Sequence, residues 1–166
     1  MPVEHLTNAF AHMPVDERGL LSRVAAGDRG AFESLYHRYY LRLVCFLVRS
    51  MGRSDGVGEL IHDTFLEIWR GVHHSQPISP DVSTWVFGIA YRKARACLDR
   101  QRKTGVAPPT ELNRGLLRGL AALSFEQRTT LILAYQEGCA MEEIAAITGV
   151  PIGSVKARML GATLGL

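Results

Sequence analysis

No stretch of this sequence approaches the roughly 18 consecutive apolar residues that a bilayer-spanning helix needs, so no membrane span is expected. The N-terminus lacks a basic region followed by an apolar stretch, which predicts no secretory signal. Cysteine is scarce. Cys45, Cys97 and Cys139 lie far apart, without the close spacing of a zinc clip, and an odd count argues against a disulfide framework. They read as small buried hydrophobes in a reducing cytoplasm. The period-two alternation of strands is absent. So are a Gly-rich phosphate loop, a Gly-x-Ser-x-Gly elbow and a His-Glu-x-x-His helix. Glu59-x-x-His62 has the spacing of one di-iron ligand pair, but such a centre needs a second pair, which the sequence does not contain. An enzyme is therefore not expected, nor a metal, a cofactor or a small-molecule substrate.

What is present is a globular composition: 166 residues, 47% hydrophobic and 21% charged. That length suits one or two small domains. The net charge of +3 hides an uneven distribution. Residues 83–103 carry six Lys/Arg (Arg92, Lys93, Arg95, Arg100, Arg102, Lys103) against Asp99 alone, a net of +5. Residues 1–82 are net acidic. A local basic stripe is the electrostatic footprint of a polyanion partner, or else a solvated helix face.

The apolar pattern is helical almost throughout. Phe32, Leu35, Tyr36, Tyr39, Leu43, Phe46 and Leu47 recur in steps that place one helix face on a core. Gly52 is a stop and Ser54 a new cap. The next helix turns Val57, Leu60, Ile61, Thr64, Phe65, Ile68, Trp69 and Val72 inward and weakens at Gly71. Residues 73–80, with Pro77 and Pro80, predict a turn or loop. Asp81 or Ser83 caps a third helix, with Trp85, Val86, Ile89, Ala90 and Cys97 inward. The Pro108-Pro109 pair breaks the pattern over 104–113, the expected boundary between two domains. Leu116, Leu117, Leu120 and Leu123 form a short stripe beyond it. Ser124-Phe125-Glu126-Gln127 is a capping box opening a helix to about Tyr135, before Gly138.

Residues 141–160 meet the needs of a helix-turn-helix. Ala145 is small enough for a close crossing, Gly149 tolerates positive φ, and Ile144, Val150 and Val155 fill the small core. Pro151 suits the start of the second helix. The N-terminal part of that helix would reach base edges in a major groove, which makes Ser154, Lys156 and Arg158 the candidates.

With these residues in place, the sequence resembles bacterial sigma factors of the extracytoplasmic-function (ECF) class, over about residues 18–160. Four stretches carry the resemblance. Residues 27–36 look like the opening helix pair. Residues 59–69, Glu-Leu-Ile-His-Asp-Thr-Phe-Leu-Glu-Ile-Trp, look like the segment that docks on core RNA polymerase. Residues 83–103 look like the helix that opens and reads the minus-ten promoter element. Residues 123–160 look like the domain that reads the minus-thirty-five element.

The resemblance implies an all-α fold of two small helical domains joined by a linker. Residues 1–17 would be an extension, 18–103 a region-two-like domain, 104–113 the linker, and 114–166 a region-four-like helix-turn-helix domain. It implies a cytoplasmic transcription initiation factor with core RNA polymerase, promoter DNA and an anti-sigma factor as partners. Polymerase contacts would fall on Glu59, Leu60, His62, Asp63, Phe65, Leu66, Glu67 and Trp69. Glu59, Asp63 and Glu67 form one acidic stripe suited to a basic patch. Minus-ten contacts would fall on Trp85, Tyr91, Arg92, Lys93, Arg95 and Arg100, where cations and aromatics interleave as single-strand binding requires. His73, His74, Ser75 and Gln76 lie where the family holds a flipped base. Two departures bear on the readout. Arg92 and Ala96 stand where members commonly have Asn and Asp. The residues after Arg158 are Gly-interrupted and lack further arginines, which predicts a shortened C-terminus and a weak upstream grip. The competing readings are a helix-turn-helix regulator that binds an operator without polymerase, and a sigma-like protein that sequesters polymerase or an anti-sigma partner.

Overall fold

Short acidic and hydroxyl side chains start the helices. In a computed structural model, described for residues 16–74, 81–105 and 118–165, Asp16 accepts the Gly19 N–H at 3.0 Å and opens α1 (Glu17–Ala25). Asp28 accepts the Ala31 N–H at 3.0 Å and opens α2 (Arg29–Met51), which Gly52 ends in the left-handed region at φ 70°. Helix α3 spans Val57–His74, and α4 spans Val82–Thr104 with Asp81 accepting the Thr84 N–H at 3.1 Å. A single turn, α5 (Arg118–Ala121), precedes α6 (Phe125–Tyr135). The capping box that opens α6 is complete: Gln127 N–H donates to Ser124 Oγ at 3.2 Å, and Ser124 N–H donates to Gln127 Oε1 at 3.1 Å. Helices α7 (Met141–Thr148) and α8 (Ile152–Leu164) meet at Gly149, φ 68°, which gives the tight turn read from the sequence. The described residues contain eight helices and no strand.

Helices α1–α4 surround a core whose fully buried members include Leu35, Tyr39, Leu43, Phe46, Leu47, Ile68 and Phe87. Phe46 meets Phe87 edge-to-face, ring centroids 5.2 Å apart. Burying side chains of this size contributes about 1.5–3 kcal/mol each. In the C-terminal domain, Ile144 and Val155 fill the space between α7 and α8 as expected, and Val150 is half-buried. The two domains share one core rather than two. Phe125, Ile132, Leu133, Ile144, Ile147 and Val155 continue the cluster begun by α1–α4, and Leu123, Leu131 and Ala162 form a small satellite.

Several local expectations need correcting. His73 and His74 belong to the last turn of α3, not to a loop, and His73 lies one turn after Trp69, which packs edge-on against it, centroids 5.0 Å apart. Gly71 does not mark a weak end: a Cβ there would lie 3.2 Å from the Trp85 ring, so glycine allows α3 to approach α4. The cysteines are half-buried rather than buried. Ser75, Gln76 and the linker residues 106–113 lie outside the described residues, as do Leu116 and Leu117.

Candidate functional site

Helix α2 carries two apolar faces, and the second is what the sequence reading merged into the first. Phe32, Tyr36, Tyr40, Val44 and Val48 recur in steps of four, a row beside the core face. With Ile61, His62, Phe65, Leu66 and Trp69 of α3 this row lines an open groove of about 560 Å³. Its walls are aromatic: Tyr36 lies 4.5 Å from the Phe65 centroid and stacks on Tyr40 at 5.2 Å, while Phe32 meets Trp69 edge-on at 5.0 Å.

The residues predicted to dock on polymerase divide accordingly. His62, Phe65, Leu66 and Trp69 line the groove. Leu60 is 5% exposed and belongs to the core, because it falls on the inward face of α3. Glu59 and Asp63 are exposed beside the groove. Glu67 is turned toward α4, where it pairs with Lys93 at 2.6 Å and Arg92 at 3.3 Å. Partial burial works to raise the Glu67 pKa, but the Lys93 and Arg92 hydrogen bonds and charges outweigh it and hold the carboxyl below its ordinary range.

The minus-ten candidates lie together on α4 in unequal exposure. Arg92 and Arg100 are exposed, and Lys93, Arg95 and Trp85 half-buried. Tyr91 is 4% exposed: it does not face solvent but stacks on Phe125 of the C-terminal domain, centroids 5.6 Å apart and planes 16° from parallel. Its hydroxyl accepts from Arg95 Nη1 at 3.3 Å, and that guanidinium also pairs with Glu126 at 3.1 Å. The Tyr91 hydroxyl first, and then the neighbouring carboxylates, raise the Arg95 pKa against a partial opposing effect of burial.

On α8, Lys156 is exposed, while Ser154 and Arg158 are half-buried. Arg158 turns inward because it shares a helix side with Val155 and Ala162; its Nη1 is buried without a hydrogen-bond partner. Ile152, Leu160 and Leu164 stand exposed along the same helix.

No local pattern marks the arginines that cross between the domains. Arg42 donates from Nη2 and Nε to Glu137 Oε2 at 2.8 and 3.0 Å, although the two residues are 95 positions apart. Its guanidinium lies over the Tyr39 and Phe87 rings. Burial pulls its pKa down, and the Glu137 carboxylate more than restores it. Arg128 Nε donates to the Ser50 carbonyl at 2.9 Å, and Nη1 to the Leu123 carbonyl at 2.9 Å; burial lowers its pKa, opposed by Glu126. Burial likewise pushes the Cys139 thiol up to about 12, so it is protonated and unreactive. Among the described residues no cluster of His, Cys, Asp and Glu could hold a metal ion, and no helix is long and apolar enough to cross a membrane.

Comparison with known proteins covers both halves of the chain. The model of sigma-70 region 2 matches residues 35–105, and that of sigma-70 region 4 matches residues 114–162. The ECF RNA polymerase sigma factor RpoE of Cereibacter sphaeroides is 26% identical, over 80% of this chain and 82% of its own. The ECF RNA polymerase sigma factor SigM of Mycobacterium tuberculosis is 28% identical, over 84% of this chain and 76% of its own. Among solved structures, CnrH in complex with the cytosolic domain of CnrY superposes with a TM-score of 0.67 at 25% identity, covering 90% of this chain and 93% of that chain. RpoE of Bartonella quintana, in complex with the anti-sigma factor NepR, has the same fold: TM-score 0.66, 23% identity, 81% and 92% covered.

Proposed function

The chain belongs to the sigma-70 family, with regions 2 and 4 in order, and from that premise we propose a cytoplasmic initiation factor that docks on core RNA polymerase through the α2–α3 groove. The observation that carries the assignment is the groove itself. It is apolar and aromatic, open along its length, and flanked by the exposed carboxylates of Glu59 and Asp63. A helical element with an apolar ridge and a basic edge fits that surface: the ridge loses water in the groove, and the edge sets register and speeds encounter.

Promoter DNA would be opened along α4. Arg92, Lys93, Arg95 and Arg100 supply the charge that tracks a single strand, and half-buried Trp85 supplies a face on which an unstacked base rests; Tyr91, stacked on Phe125, is covered in this conformation. Phosphates would exchange with carboxylates as partners of Arg92, Lys93 and Arg95. Upstream duplex would be met by α8 through Lys156 and Ser154, with few cations to anchor it. The domains would fall at 18–103 and 114–166, with an anti-sigma protein as a further partner. No catalytic step enters this scheme.

Core polymerase labelled on its clamp and titrated with the chain tests the docking step. Asp63→Lys should weaken binding while helicity by circular dichroism stays constant. An unaltered affinity would assign the acidic stripe to solvent. DNA binding that proceeds without core polymerase would instead favour an operator-binding regulator.

A further inference from the structure

We propose that residues 2–13 of this chain seat in the α2–α3 groove and hold it until a stronger ligand displaces them; that this ligand is core polymerase rests on the reading of the groove as its docking site. Residues 1–15 lie outside the described residues, and their sequence is amphipathic at the helical period. At 100° per residue, Val3, Leu6, Phe10 and Met13 fall within about 80° of one another, and Glu4, His5, Asn8 and His12 share the opposite side. Pro2 suits a first helical position, and Pro14 biases Met13 out of helix, so the stripe is bracketed at both ends. An isolated helix of about a dozen residues is marginal in water. An apolar stripe of this length therefore needs a partner surface.

The groove supplies that surface within reach. Its walls of Phe32, Tyr36, Phe65, Leu66 and Trp69 enclose about 560 Å³, enough for a row of anchoring side chains. Helix α1 begins against α2: Glu17 accepts from Arg38 Nε and from the Tyr39 hydroxyl, the latter at 3.0 Å. From Arg38, steps of three residues lead around α2 through Leu41 to Val44 on the groove wall, each a rotation of about 60°. Leu41 is 58% exposed and Tyr40 38%, so the way from the start of α1 to the groove is marked by bare apolar side chains. Neighbours three apart on a helix are about 5–6 Å from each other, which makes this path roughly 11 Å long. Residues 11–15, extended at about 3.3 Å each, span it.

The seated segment is weak by composition. Residues 1–15 contain no lysine or arginine, so Glu59 and Asp63, exposed beside the groove, gain no ionic partner from it. A helix with a basic edge gains both the apolar floor and those carboxylates. The tether offsets the weakness while the chain is alone. Joined to α1 by five residues, the segment meets the groove at an effective concentration on the order of millimolar. The aromatic walls are then covered rather than left as an apolar patch open to association. A competing ligand binds only the fraction of chains whose groove is empty, and its apparent affinity falls by that fraction.

The test uses the full chain with the photoreactive p-benzoylphenylalanine in place of Phe10. Irradiation and peptide mapping should give intramolecular adducts on residues 32–48 or 57–69, in a yield independent of protein concentration. Adducts elsewhere, or none, overturn the seat. Adducts that join two chains and grow with concentration overturn the tether and make a second copy the occupant. The consequence is read with the double variant Leu6→Ser, Phe10→Ser, which adds no charge that could itself attract polymerase. In titrations against core polymerase it should bind roughly tenfold more tightly than wild type, as when the competent fraction rises from about a tenth to nearly all. Leu66→Asp, on the groove wall, is the control for the docking site itself. If Leu66→Asp weakens core binding and the double variant leaves it unchanged, the groove docks polymerase and the competition proposed here is wrong. If neither alters core affinity while the intramolecular adducts form, the seat stands and the docking reading of the groove falls.

Discussion

Helix α4 and helix α8 are the two elements directed at DNA in this account, and they hold their charge differently. On α4, Arg92 and Lys93 are paired with Glu67 of α3, and Arg95 with Glu126 of α6. On α8, Lys156 is exposed and Arg158 is turned partly inward with one nitrogen unpartnered. The first helix has a dense field restrained by neighbouring carboxylates. The second has an open surface and little field. Counting basic residues along the sequence does not reveal this, because carboxylates from other helices decide how much of the charge is available.

The comparison is broken most severely at α4. Arg92→Ala with Lys93→Ala should reduce open-complex formation roughly a hundredfold and flatten its salt dependence by about 1.4 in slope, two single-strand phosphate contacts' worth. Permanganate footprinting over a salt series reads both; an unchanged yield would remove α4 from promoter melting. Core affinity should be untouched, since neither residue lines the groove. Conversely, Leu66→Asp places a carboxylate on the groove wall and should weaken core binding by at least roughly tenfold, the loss of one central anchor. Fluorescence titration against core polymerase checks it, and full retention of affinity would move the docking surface elsewhere.

The effect at α8 should be smaller. Lys156→Ala should lower affinity for upstream duplex in the holoenzyme a few-fold, alike across sequences, with the salt slope reduced by about 0.9. Loss confined to one base position would instead show that Lys156 reads a base edge. The smallest effect is a pH dependence at the α3–α4 tie. The Glu67 carboxyl is held below its ordinary range, so its stabilisation is fully present above the ordinary carboxylate pKa and is lost as pH falls through the lowered value. Glu67→Gln should therefore melt slightly below wild type at pH 7, and the gap should close toward pH 3. A gap that persists there would show that the tie is not ionic. The pair is partly exposed, so the difference is small.

Much of the fold was legible because helix starts are local chemistry. Asp16, Asp28, Asp81 and Ser124 cap the helices they precede, and Gly149 turns where the sequence demanded positive φ. Asp16 and Asp28 went unread because other signals dominated their neighbourhoods. The groove was half legible. Its α3 wall was read from Glu59 to Trp69, but the α2 wall was absorbed into the core face, since rows at steps of three and four overlap on a long helix. Tyr91 was misplaced for a different reason. Periodicity says which way a side chain points within its own helix, not that another domain will cover it. Arg42 and Glu137 share no local pattern at all, and only the packing of α2 against the turn after α6 brings them together.

Run-off transcription with purified core RNA polymerase over a random promoter library tests the central claim most directly. Specific transcripts that require the chain are expected, with aligned upstream sequences showing a stronger minus-ten than minus-thirty-five signal. An absence of chain-dependent transcripts under conditions where the chain binds core polymerase would contradict it.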